Sequence, residues 1–334
     1  MPNKIKIAID AMGGEKSPKK IIDGIDISLK DNPDSFFYLC GKENILKSEL
    51  DKKKNLYKNC EIVIADDVIL DNDSPLAAVK KGKQSSIWKA IELQKQGLAH
   101  ISLSAGNTGA LLVISKLLLK TINGIDKPAL AGLWPNKNNM NVVLDLGANI
   151  ECDQKNLVDF SCMGSALFKS LFPNDSPKAA LLNIGLEEIK GNDVLKKTYG
   201  ILKDNKYKNF EFNGYIEANQ IMDGDVNVIV TDGFTGNIAL KTAEGTANFI
   251  KDGLKESLGK LSILFSLNRL KKFKNKLDPR RYNGAIFLGL QGPVVKSHGS
   301  TDSFGFAHSI NVCNKIVNAN LIKKIESNLI TVDA

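Results

Sequence analysis

The sequence predicts an α/β protein in which a mostly parallel sheet is covered by helices on both faces. Short apolar segments alternate with glycine-bearing loops and helix-like segments, which is the order that parallel strands and their crossover helices give. The chain has 334 residues, 43% of them hydrophobic and 25% charged, which is ordinary for a soluble globular protein and enough to bury a large core. Because no internal repeat or low-complexity stretch divides it, we expect a single domain over residues 1–334.

The repeating unit is an apolar segment followed by a loop that carries one or more glycines. Each apolar segment is a predicted strand, and the helix-like segment behind each loop is a predicted crossover helix. The predicted strand and loop pairs are 5–9 with 10–14, 100–103 with 104–109, 142–144 with 145–149, 179–182 with 183–185, 226–230 with 231–237, and 287–290 and 294–296 with 297–302.

Together these loops predict an anion site. The loops that leave the carboxyl ends of parallel strands gather at one edge of the sheet, and each aims the N–H groups of a helix N-terminus at that edge. A single glycine loop is explained by the tight turn that glycine permits. The whole set, with Asn, Thr, Ser and Asp beside the glycines, favours an anion pocket built from backbone N–H groups.

Residues 249–281 interrupt this order. Apolar residues recur there at helical spacing on both sides of 262–266, which hold three adjacent bulky apolar side chains. The pattern predicts a protruding hairpin of two helical arms joined by an apolar tip. Ten Lys or Arg residues against three acidic residues lie between Lys251 and Arg281, so most of the formal net charge of +8 sits in this hairpin. Residues 304–330 predict one closing helix.

Composition limits the class of protein further. The five cysteines form no CxxC pair, which predicts reduced thiols and a cytosolic protein. The chain starts almost directly in a predicted strand, so we expect no secretory signal, and the longest apolar run, 110–119, is too short to span a bilayer. No nucleic-acid-binding motif accompanies the basic hairpin, which therefore fits an acidic protein partner or an anionic lipid surface better than DNA or RNA.

Several catalytic motifs are absent from the sequence. No GxxxxGK[ST] loop, no GxGxxG after the first strand, no GxSxG turn and no HExxH pair is present. The chain also has only three histidines. We therefore expect a reaction without a covalent serine or cysteine nucleophile, and neither a metal nor an organic cofactor.

The ordered set of loops closely resembles the bacterial phosphate acyltransferase family PlsX, from residue 5 to about residue 320. The motifs that carry the resemblance are Asp10-Ala-Met-Gly-Gly14, Ser104-Ala-Gly-Asn-Thr-Gly109, Leu144-Asp-Leu-Gly-Ala-Asn149, Leu182-Asn-Ile-Gly185 with Lys190-Gly-Asn192, Asp232-Gly-Phe-Thr-Gly-Asn237 with Lys241-Thr-Ala-Glu-Gly245, and Lys296-Ser-His-Gly299. The resemblance implies a three-layer α/β/α fold similar to phosphate acetyltransferases and isocitrate dehydrogenase-like proteins, and a homodimer.

The activity that the resemblance implies is acyl transfer from acyl-carrier protein to inorganic phosphate. The acyl phosphate product would pass to a membrane acyltransferase that acylates glycerol 3-phosphate in phospholipid synthesis. The chain departs from the family pattern in its first loop, which reads Glu15-Lys16-Ser17-Pro18 in place of Asp-His-x-Pro, so no histidine acts there. Lys80 and Lys127 stand where arginine is expected, which keeps the charge but loses the bidentate fork, and 217–219 replaces a Glu-Gly pair.

A thioester is already activated, so the reaction needs only phosphate held in line with the carbonyl and a stabilised oxyanion. We predict that Lys296, His298 and Asn107 are the catalytic residues, the first two through charge-assisted hydrogen bonds. His298 either protonates the leaving thiolate or is a loop histidine that caps a helix. The residues predicted to bind phosphate or acyl phosphate are Gly13, Gly14, Ser104, Thr108, Gly109, Asn149, Thr235, Gly236 and Asn237.

Two further groups of polar residues lie near these loops. Candidate anion contacts are Lys80, Lys83, Ser85 and Lys190, for which the alternative is an ordinary solvated surface. The strand-ending carboxylates would repel phosphate, so we predict that they shape the loops by accepting backbone N–H groups. These loop-shaping residues are Asp10, Asp145 and Asp232.

The hairpin has two competing functions. It either enters an anionic membrane surface, which we favour because the product must reach a membrane enzyme, or forms the dimer contact or the docking surface for the acidic carrier protein. The residues predicted for this contact are Leu261, Ile263, Leu264, Phe265, Leu267, Lys271, Lys272 and Lys274. Membrane contact predicts a cytoplasmic protein that associates peripherally with the membrane.

Three other functions remain as alternatives. The nearest is a phosphate acetyl- or butyryltransferase that uses an acyl-coenzyme A donor on the same fold. A nicotinamide-dependent decarboxylating dehydrogenase is disfavoured by the absence of a metal-binding Asp cluster. The chain could also be a non-catalytic scaffold at the membrane surface that keeps the fold.

Overall fold

The computed structural model describes residues 4–204, 207, 209–257 and 278–329. The strands in chain order are β1 (Lys6–Asp10), β2 (Phe36–Gly41), β3 (Cys60–Ile64), β4 (Ile101–Ser104), β5 (Ala129–Pro135), β6 (Met140–Leu144), β7 (Lys178–Leu182), β8 (Glu211–Ile216), β9 (Val228–Val230), β10 (Ala285–Leu288) and β11 (Val294–Lys296). The α-helices are α1 (Lys19–Ser28), α2 (Glu43–Asp51), α3 (Pro75–Lys81), α4 (Ser86–Lys95), α5 (Thr108–Leu119), α6 (Gln154–Leu171), α7 (Asp193–Asp204), α8 (Gly233–Ser257), α9 (Ser303–Asn318) and α10 (Leu321–Leu329).

The strands form one sheet in the order β3-β2-β1-β4-β11-β10-β5-β6-β9-β7-β8. The strands β3, β2, β1, β4 and β11 are mutually parallel, and so are β6, β9, β7 and β8. Between the two groups, β10 is antiparallel to both of its neighbours, and β5 is antiparallel to β6. The predicted α/β class with a mostly parallel sheet is confirmed.

The two parallel groups run in opposite directions. The β5–β6 hairpin, in which Gly132 lies opposite Val143 and Pro135 opposite Met140, reverses the direction of the chain, so β6, β7, β8 and β9 run opposite to β1–β4. The last strand, β11, is again parallel to β4. The carboxyl ends of β1, β4 and β11 therefore lie at one edge of the sheet, here called the first edge. Those of β6, β9 and β7 lie at the opposite one, here called the second edge. The expectation that all glycine loops gather at one edge is wrong, because a hairpin inside the sheet separates them into two sets.

Helices cover both faces of this sheet. Successive residues of one strand face opposite sides, so Ala180 packs in one hydrophobic cluster and Leu181 in another. On one face Ile21 and Ile25 of α1 pack with Phe306 of α9 and the long helix α6. On the other face α4 and α5 pack in the same cluster as the first turns of α8. Each fully buried aliphatic or aromatic side chain contributes about 1.5–3 kcal/mol to the stability of the folded state, so these two layers hold the strand ends in place.

The end of the chain differs from its prediction. Residues 304–330 predict one closing helix, but the structure has two, α9 and α10, separated by Ala319 and Asn320. Asn320 has a φ of 51°, in the left-handed region where helices commonly end. The apolar spacing continues on both sides of this break, so the periodicity alone did not reveal it.

The predicted hairpin is only partly described. Helix α8 continues through Phe249 and Ile250, which are 80% and 49% exposed, and its described part ends at Ser257. Residues 279–282 form a short 3-10 helix instead of the end of a second α-helical arm. The predicted contact residues Leu261, Ile263, Leu264, Phe265, Leu267, Lys271, Lys272 and Lys274 lie outside the described residues. Among the helices that the structure describes, none combines the length and apolarity needed to cross a bilayer.

Candidate active site

Three neighbouring strand ends form the candidate site at the first edge. Asp10 of β1 lies opposite Ser104 of β4, which in turn lies opposite Lys296 of β11. The Ser104 hydroxyl donates a hydrogen bond of 2.6 Å to the Asp10 carboxylate and accepts one of 3.0 Å from the N–H of Gly106. Burial raises the pKa of Asp10, while the hydrogen bonds that it accepts oppose the rise. Asp10 thus holds the first two loops in shape.

The glycine loops interlock tightly. A Cβ atom at Gly13 would lie 2.6 Å from the backbone nitrogen of Gly106, so no side chain fits between these two loops. Gly14 has a φ of 79°, and a Cβ atom there would lie 2.8 Å from the carbonyl oxygen of Gly299 and 2.9 Å from that of Ala105. Glycine is required here for both conformation and space. The loops after β1, β4 and β11 therefore form one continuous backbone surface.

Lys296 ends β11 and faces this surface. Its ammonium group donates a hydrogen bond to the carbonyl oxygen of Ser297. Burial lowers the pKa of Lys296 to about 8; Asp71 and Asp10 oppose this shift and Lys20 adds to it. A lysine whose charge is poorly hydrated binds an anion strongly, because the anion replaces solvation that burial has removed.

His298 lies two residues further along, in an exposed loop. Its backbone N–H donates to the side-chain oxygen of Asn283 at 2.8 Å, which fixes the loop. Its Nδ1 atom accepts from the N–H of Ser300 at 3.3 Å, so the neutral ring carries its proton on Nε2. Desolvation lowers the pKa of His298; Glu244 opposes this, and the ammonium groups of Lys296, Lys241 and Lys20 add to it. His298 is therefore a neutral donor at Nε2 near pH 7.

Helix α8 connects the two edges. It begins at Gly233 on the second edge, yet the charges of Lys241 and Glu244 influence the pKa of His298 at the first edge. Helix α8 packs on the same face of the sheet as α5, which starts at the first edge. The first turns of α8 thus approach the candidate site, although α8 begins at the second edge.

Asn107 caps α5 and holds a neighbouring loop. Its side-chain oxygen accepts from the N–H of Ala110 at 2.9 Å, as expected for an N-cap residue. Its side-chain nitrogen donates to the carbonyl oxygens of Leu70, Asp71 and Asp73 at 2.9–3.1 Å. Asn107 thereby places Asp71 where its charge acts on Lys296. In this structure the side chain positions a loop, and both of its polar atoms are engaged with backbone.

Asp145 and Asn149 of the predicted phosphate set lie at the second edge. The buried Asp145 carboxylate accepts N–H groups of Leu130, Ala148 and Asn149 at 2.8–3.0 Å, and burial raises its pKa. The Asn149 side chain donates to the carbonyl oxygen of Pro128 at 2.8 Å.

The first turn of α8 lies at the second edge as well. Asp232 accepts the N–H and the hydroxyl of Thr235 at 2.8 and 2.9 Å, and Asn237 donates to the carbonyl oxygen of Leu146 at 3.3 Å. Gly236 lies against the backbone of Asp145. The structure therefore separates Asn149, Thr235, Gly236 and Asn237 from Gly13, Gly14, Ser104, Thr108 and Gly109, which stay together at the first edge.

The candidate anion contacts are scattered. Lys80 and Lys83 are exposed on α3 and on the turn that follows it. Ser85 is buried as the N-cap of α4, where its hydroxyl donates to the carbonyl oxygen of Gly82 at 2.6 Å. Lys190 is exposed in the loop after β7, at the second edge. Lys127, another departure from the family pattern, donates to the carbonyl oxygen of Glu151 at 2.9 Å.

A buried lysine that sequence reasoning missed joins the site. Lys20, the second residue of α1, is only 5% exposed, and its ammonium group donates a hydrogen bond to the carbonyl oxygen of Gly299. A Cβ atom at Gly14 would lie 2.8 Å from the Lys20 nitrogen, so this charge sits where the glycine loops meet. The one available signal was the position of the lysine on the first turn of the helix after the Gly13-Gly14 loop, next to the apolar pair Ile21-Ile22.

A groove leads away from this site along α5. It has a volume of about 530 Å³, and its walls are one side of α5, the start of β5 and the loop after β6. Its lining residues are Leu112, Val113, Lys116, Leu117, Pro128, Ala148 and Asn149. The lining begins one helical turn beyond Thr108 at the first edge, so an elongated apolar group attached to a first-edge ligand could lie along it.

The five cysteines are all free thiols, as predicted. Burial raises the pKa of Cys152 to about 12, and likewise those of Cys60 and Cys162. Thiols with such pKa values are almost entirely protonated near pH 7, and protonated thiols are poor nucleophiles. The site chemistry therefore rests on the lysines, the histidine and the backbone.

Comparisons with known proteins agree with this fold. A family model described as fatty acid synthesis protein matches residues 5–324. Phosphate acyltransferase from Pelagibacter ubique is 58% identical, with 98% of this chain and 100% of that protein covered. Phosphate acyltransferase from Rhodopseudomonas palustris is 42% identical, with coverage of 98% and 95%.

Solved structures share the fold. A phosphotransacetylase from Streptococcus pyogenes superimposes with a TM-score of 0.62 at 16% identity, over 97% of this chain and 95% of that one. The EutD phosphotransacetylase from Staphylococcus aureus gives a TM-score of 0.60 at 16% identity, over 95% and 94%. The predicted likeness to the phosphate acetyltransferase fold is thereby confirmed.

Proposed function

The chain belongs to the fatty acid synthesis protein family that includes the phosphate acyltransferases, and we propose that it transfers an acyl group from a carrier thioester to inorganic phosphate. The observation that carries this proposal is Lys296, a partly exposed lysine whose charge is strongly desolvated, with a pKa of about 8 on a surface of glycine backbone. Such a site suits a small dianion. Phosphate is itself a competent nucleophile near neutral pH, so the site needs to supply position and charge rather than a covalent intermediate.

The reaction follows from this placement. A phosphate oxygen attacks the thioester carbonyl carbon, the new O–C bond forms, and the carbonyl oxygen becomes an oxyanion. Lys296 and the N–H groups at the start of α5 stabilise the developing negative charge, which a buried cation does more effectively than water. The C–S bond then breaks, and the sulfur leaves with the electron pair. The Nε2 proton of His298 is available to the departing thiolate.

Asn107 acts indirectly in this mechanism. Its hydrogen bonds to Leu70, Asp71 and Asp73 hold Asp71 near the lysines, which moderates their charge when phosphate is absent. The helix that it caps directs its first N–H groups at the site, where they favour an anion. Its proposed role is therefore to position the 70–73 loop and the start of α5.

The acyl chain is proposed to lie in the groove along α5. The volume of about 530 Å³ is within the range of ~300–1,000 Å³ typical of small-molecule sites. Leu112, Val113 and Leu117 offer an apolar wall, and Val113 and Leu117 are 38% and 54% exposed in the absence of a ligand. Burial of each methylene group contributes about 0.8 kcal/mol, so even a partly covered long chain gains substantial affinity.

The proposed donor is acyl-[acyl-carrier protein], and the proposed pathway is phospholipid synthesis. The description of the family as fatty acid synthesis proteins supports a donor of that pathway. The ten basic residues against three acidic ones between Lys251 and Arg281 support contact with an acidic carrier protein or an anionic membrane. The proposed protein is a cytoplasmic homodimer that associates peripherally with the membrane. Its proposed downstream partner is a membrane glycerol-3-phosphate acyltransferase.

Donor competition tests the proposed function. Purified protein is supplied with palmitoyl-[acyl-carrier protein], palmitoyl-coenzyme A or acetyl-coenzyme A, with and without phosphate, and thiol release is followed. We expect phosphate-dependent release that is fastest with the carrier-protein donor. Faster release from acetyl-coenzyme A would make the chain a phosphate acetyltransferase, and no release from any donor would favour a non-catalytic scaffold.

A further inference from the structure

Lys20 is the most deeply buried lysine side chain that the structure describes at the first edge. It is 5% exposed, while Lys16 and Lys19, its neighbours on the same loop and helix, are exposed. Burial lowers the pKa of Lys20, and the charges of Glu15 and Asp71 only oppose that shift. Lysine is almost never buried to this extent unless its charge has a partner.

That partner is missing from the protein itself. Within the described ranges, no carboxylate forms an ion pair with Lys20 or Lys296. Asp71 attracts both ammonium groups, while the charge of Lys20 adds to the lowering of the pKa of Lys296. Two buried like charges without a counter-ion destabilise each other, and an anion between them would relieve both the repulsion and the desolvation.

The location of Lys20 connects it with the proposed phosphate site. Its ammonium group donates to the carbonyl oxygen of Gly299, which follows β11, and lies beside Gly14, which follows β1, 2.8 Å from where a Cβ atom there would be. Ala105, which follows β4, presents its carbonyl oxygen to the same point. All three loops that surround Lys296 therefore meet at Lys20. One of its three N–H groups is used by Gly299, which leaves two donors for an anion.

A small pocket provides access from solvent. It has a volume of about 200 Å³ and is lined by the first turn of α1 and by residues 300–303. Three lysines (Lys16, Lys19 and Lys20) and three carboxylates (Glu15, Asp23 and Asp302) line it, so the pocket reaches Lys20 without a net charge of its own.

We propose that Lys20 binds the substrate phosphate together with Lys296, as the second cation of a two-lysine clamp. This inference rests on the proposed function, because it assigns the phosphate dianion of that reaction to a specific pair of side chains. Two oxygens of phosphate accept from the two ammonium groups, and a third is left free to attack the thioester carbonyl. Lys20 also ties the 297–299 loop to α1 through Gly299, so it orients the loop that carries His298.

Kinetics of Lys20 variants test the clamp. Lys20→Met removes the charge at nearly constant volume, Lys20→Arg keeps it, and Lys30→Met is the control at an exposed lysine just beyond the other end of α1. A hydrogen bond to a charged group corresponds to roughly 10- to 100-fold in affinity. We therefore expect Lys20→Met to raise the KM for phosphate by roughly 10- to 100-fold, with little change in the KM for the acyl donor. Lys20→Arg should recover part of the loss, and Lys30→Met should resemble the wild type.

Equal effects on both KM values would overturn the clamp and leave Lys20 only the role of holding the 297–299 loop. An unchanged KM for phosphate would also overturn the clamp. Titration calorimetry with inorganic phosphate separates this outcome from failure of the proposed function. If the wild type binds phosphate but transfers no acyl group, the proposed function fails while the Lys20→Met titration still tests the clamp.

A second measurement does not depend on whether the variants fold. Crystals of the wild type soaked in phosphate should show the anion within hydrogen-bond distance of both the Lys20 and Lys296 nitrogens. Phosphate held by Lys296 and the glycine loops alone, beyond the reach of Lys20, would overturn the clamp. An adventitious ion only, found away from both lysines, would do the same.

Discussion

Replacing Lys296 with methionine should lower acyl transfer by roughly two to three orders of magnitude and at the same time make the folded protein more stable. Burial shifts the pKa of Lys296 from its ordinary 10.5 to about 8. A shift of this size corresponds to about 3 kcal/mol of unfavourable free energy for keeping the charged form folded at neutral pH. The lost hydrogen bond to Ser297 offsets about 1 kcal/mol of the gain, so Lys296→Met should stabilise the protein by about 2 kcal/mol at pH 7.

The stability gain depends on pH in a defined direction. The unfolded chain keeps the proton on Lys296 up to about pH 10.5, whereas the folded protein loses it near pH 8. Between these values the unfolded state binds more protons, so the wild type gains stability as the pH rises. The advantage of Lys296→Met should be full below pH 8 and should disappear as the pH approaches 10.5.

Urea denaturation at pH 7 and pH 10, paired with phosphate-dependent thiol release, measures both effects. We expect turnover to fall by roughly two to three orders of magnitude, the scale of losing one positioned electrostatic donor. In the wild type, kcat/KM for phosphate should fall as the pH rises through about 8, because the free enzyme then loses the Lys296 charge. A variant that is destabilised by 1 kcal/mol or more, or that keeps normal turnover, would refute the assignment of Lys296 as a strained functional cation.

Three further substitutions test other parts of the account. Asn107→Ala removes the hydrogen bonds that hold the 70–73 loop, and urea denaturation should show a loss of about 1–2 kcal/mol of stability. The variant should lower kcat more than it changes the KM for phosphate. An unchanged kcat would count against the positioning role. Asp145→Asn should cost about 2–4 kcal/mol, because it disturbs four backbone N–H bonds, yet leave the KM for phosphate unchanged since Asp145 lies at the second edge. Leu117→Glu, about 13 Å along α5 from Thr108, should raise the KM for palmitoyl donors more than for octanoyl donors, while Ile45→Glu, similarly exposed on α2, should change neither. Equal effects on both chain lengths would exclude the groove as the acyl site.

The sequence predicted the strand and loop positions well where apolar segments preceded glycines. The predicted strand at 5–9 is β1 at Lys6–Asp10, and the one at 142–144 lies within β6. The hairpin of β5 and β6 was not predicted, because the apolar pattern of a strand carries no information about its direction. That single reversal moved Asn149 and the start of α8 to the second edge, away from the residues with which they had been grouped.

The chemistry of the site was predictable only in part. Lys296 and His298 followed from the loop motif, but Lys20 looked like one of two adjacent lysines at the start of a helix. Its burial depends on Gly14 and Gly299, which lie far apart in sequence and meet only when β1 and β11 are placed on either side of β4. Asn107 was predicted in the correct loop. Its hydrogen bonds to residues 70–73 could not be predicted, because that loop has no periodic pattern from which its path could be inferred.

Direct detection of the product tests the central claim that this chain acylates phosphate at the first edge. Palmitoyl-[acyl-carrier protein] and phosphate are incubated with the wild type and with Lys296→Met, and acyl phosphate is trapped as the hydroxamate with hydroxylamine. We predict acyl phosphate from the wild type in amounts equal to the thiol released, and none above background from Lys296→Met. Thiol release by the wild type without acyl phosphate, or full product formation by the variant, would contradict the account.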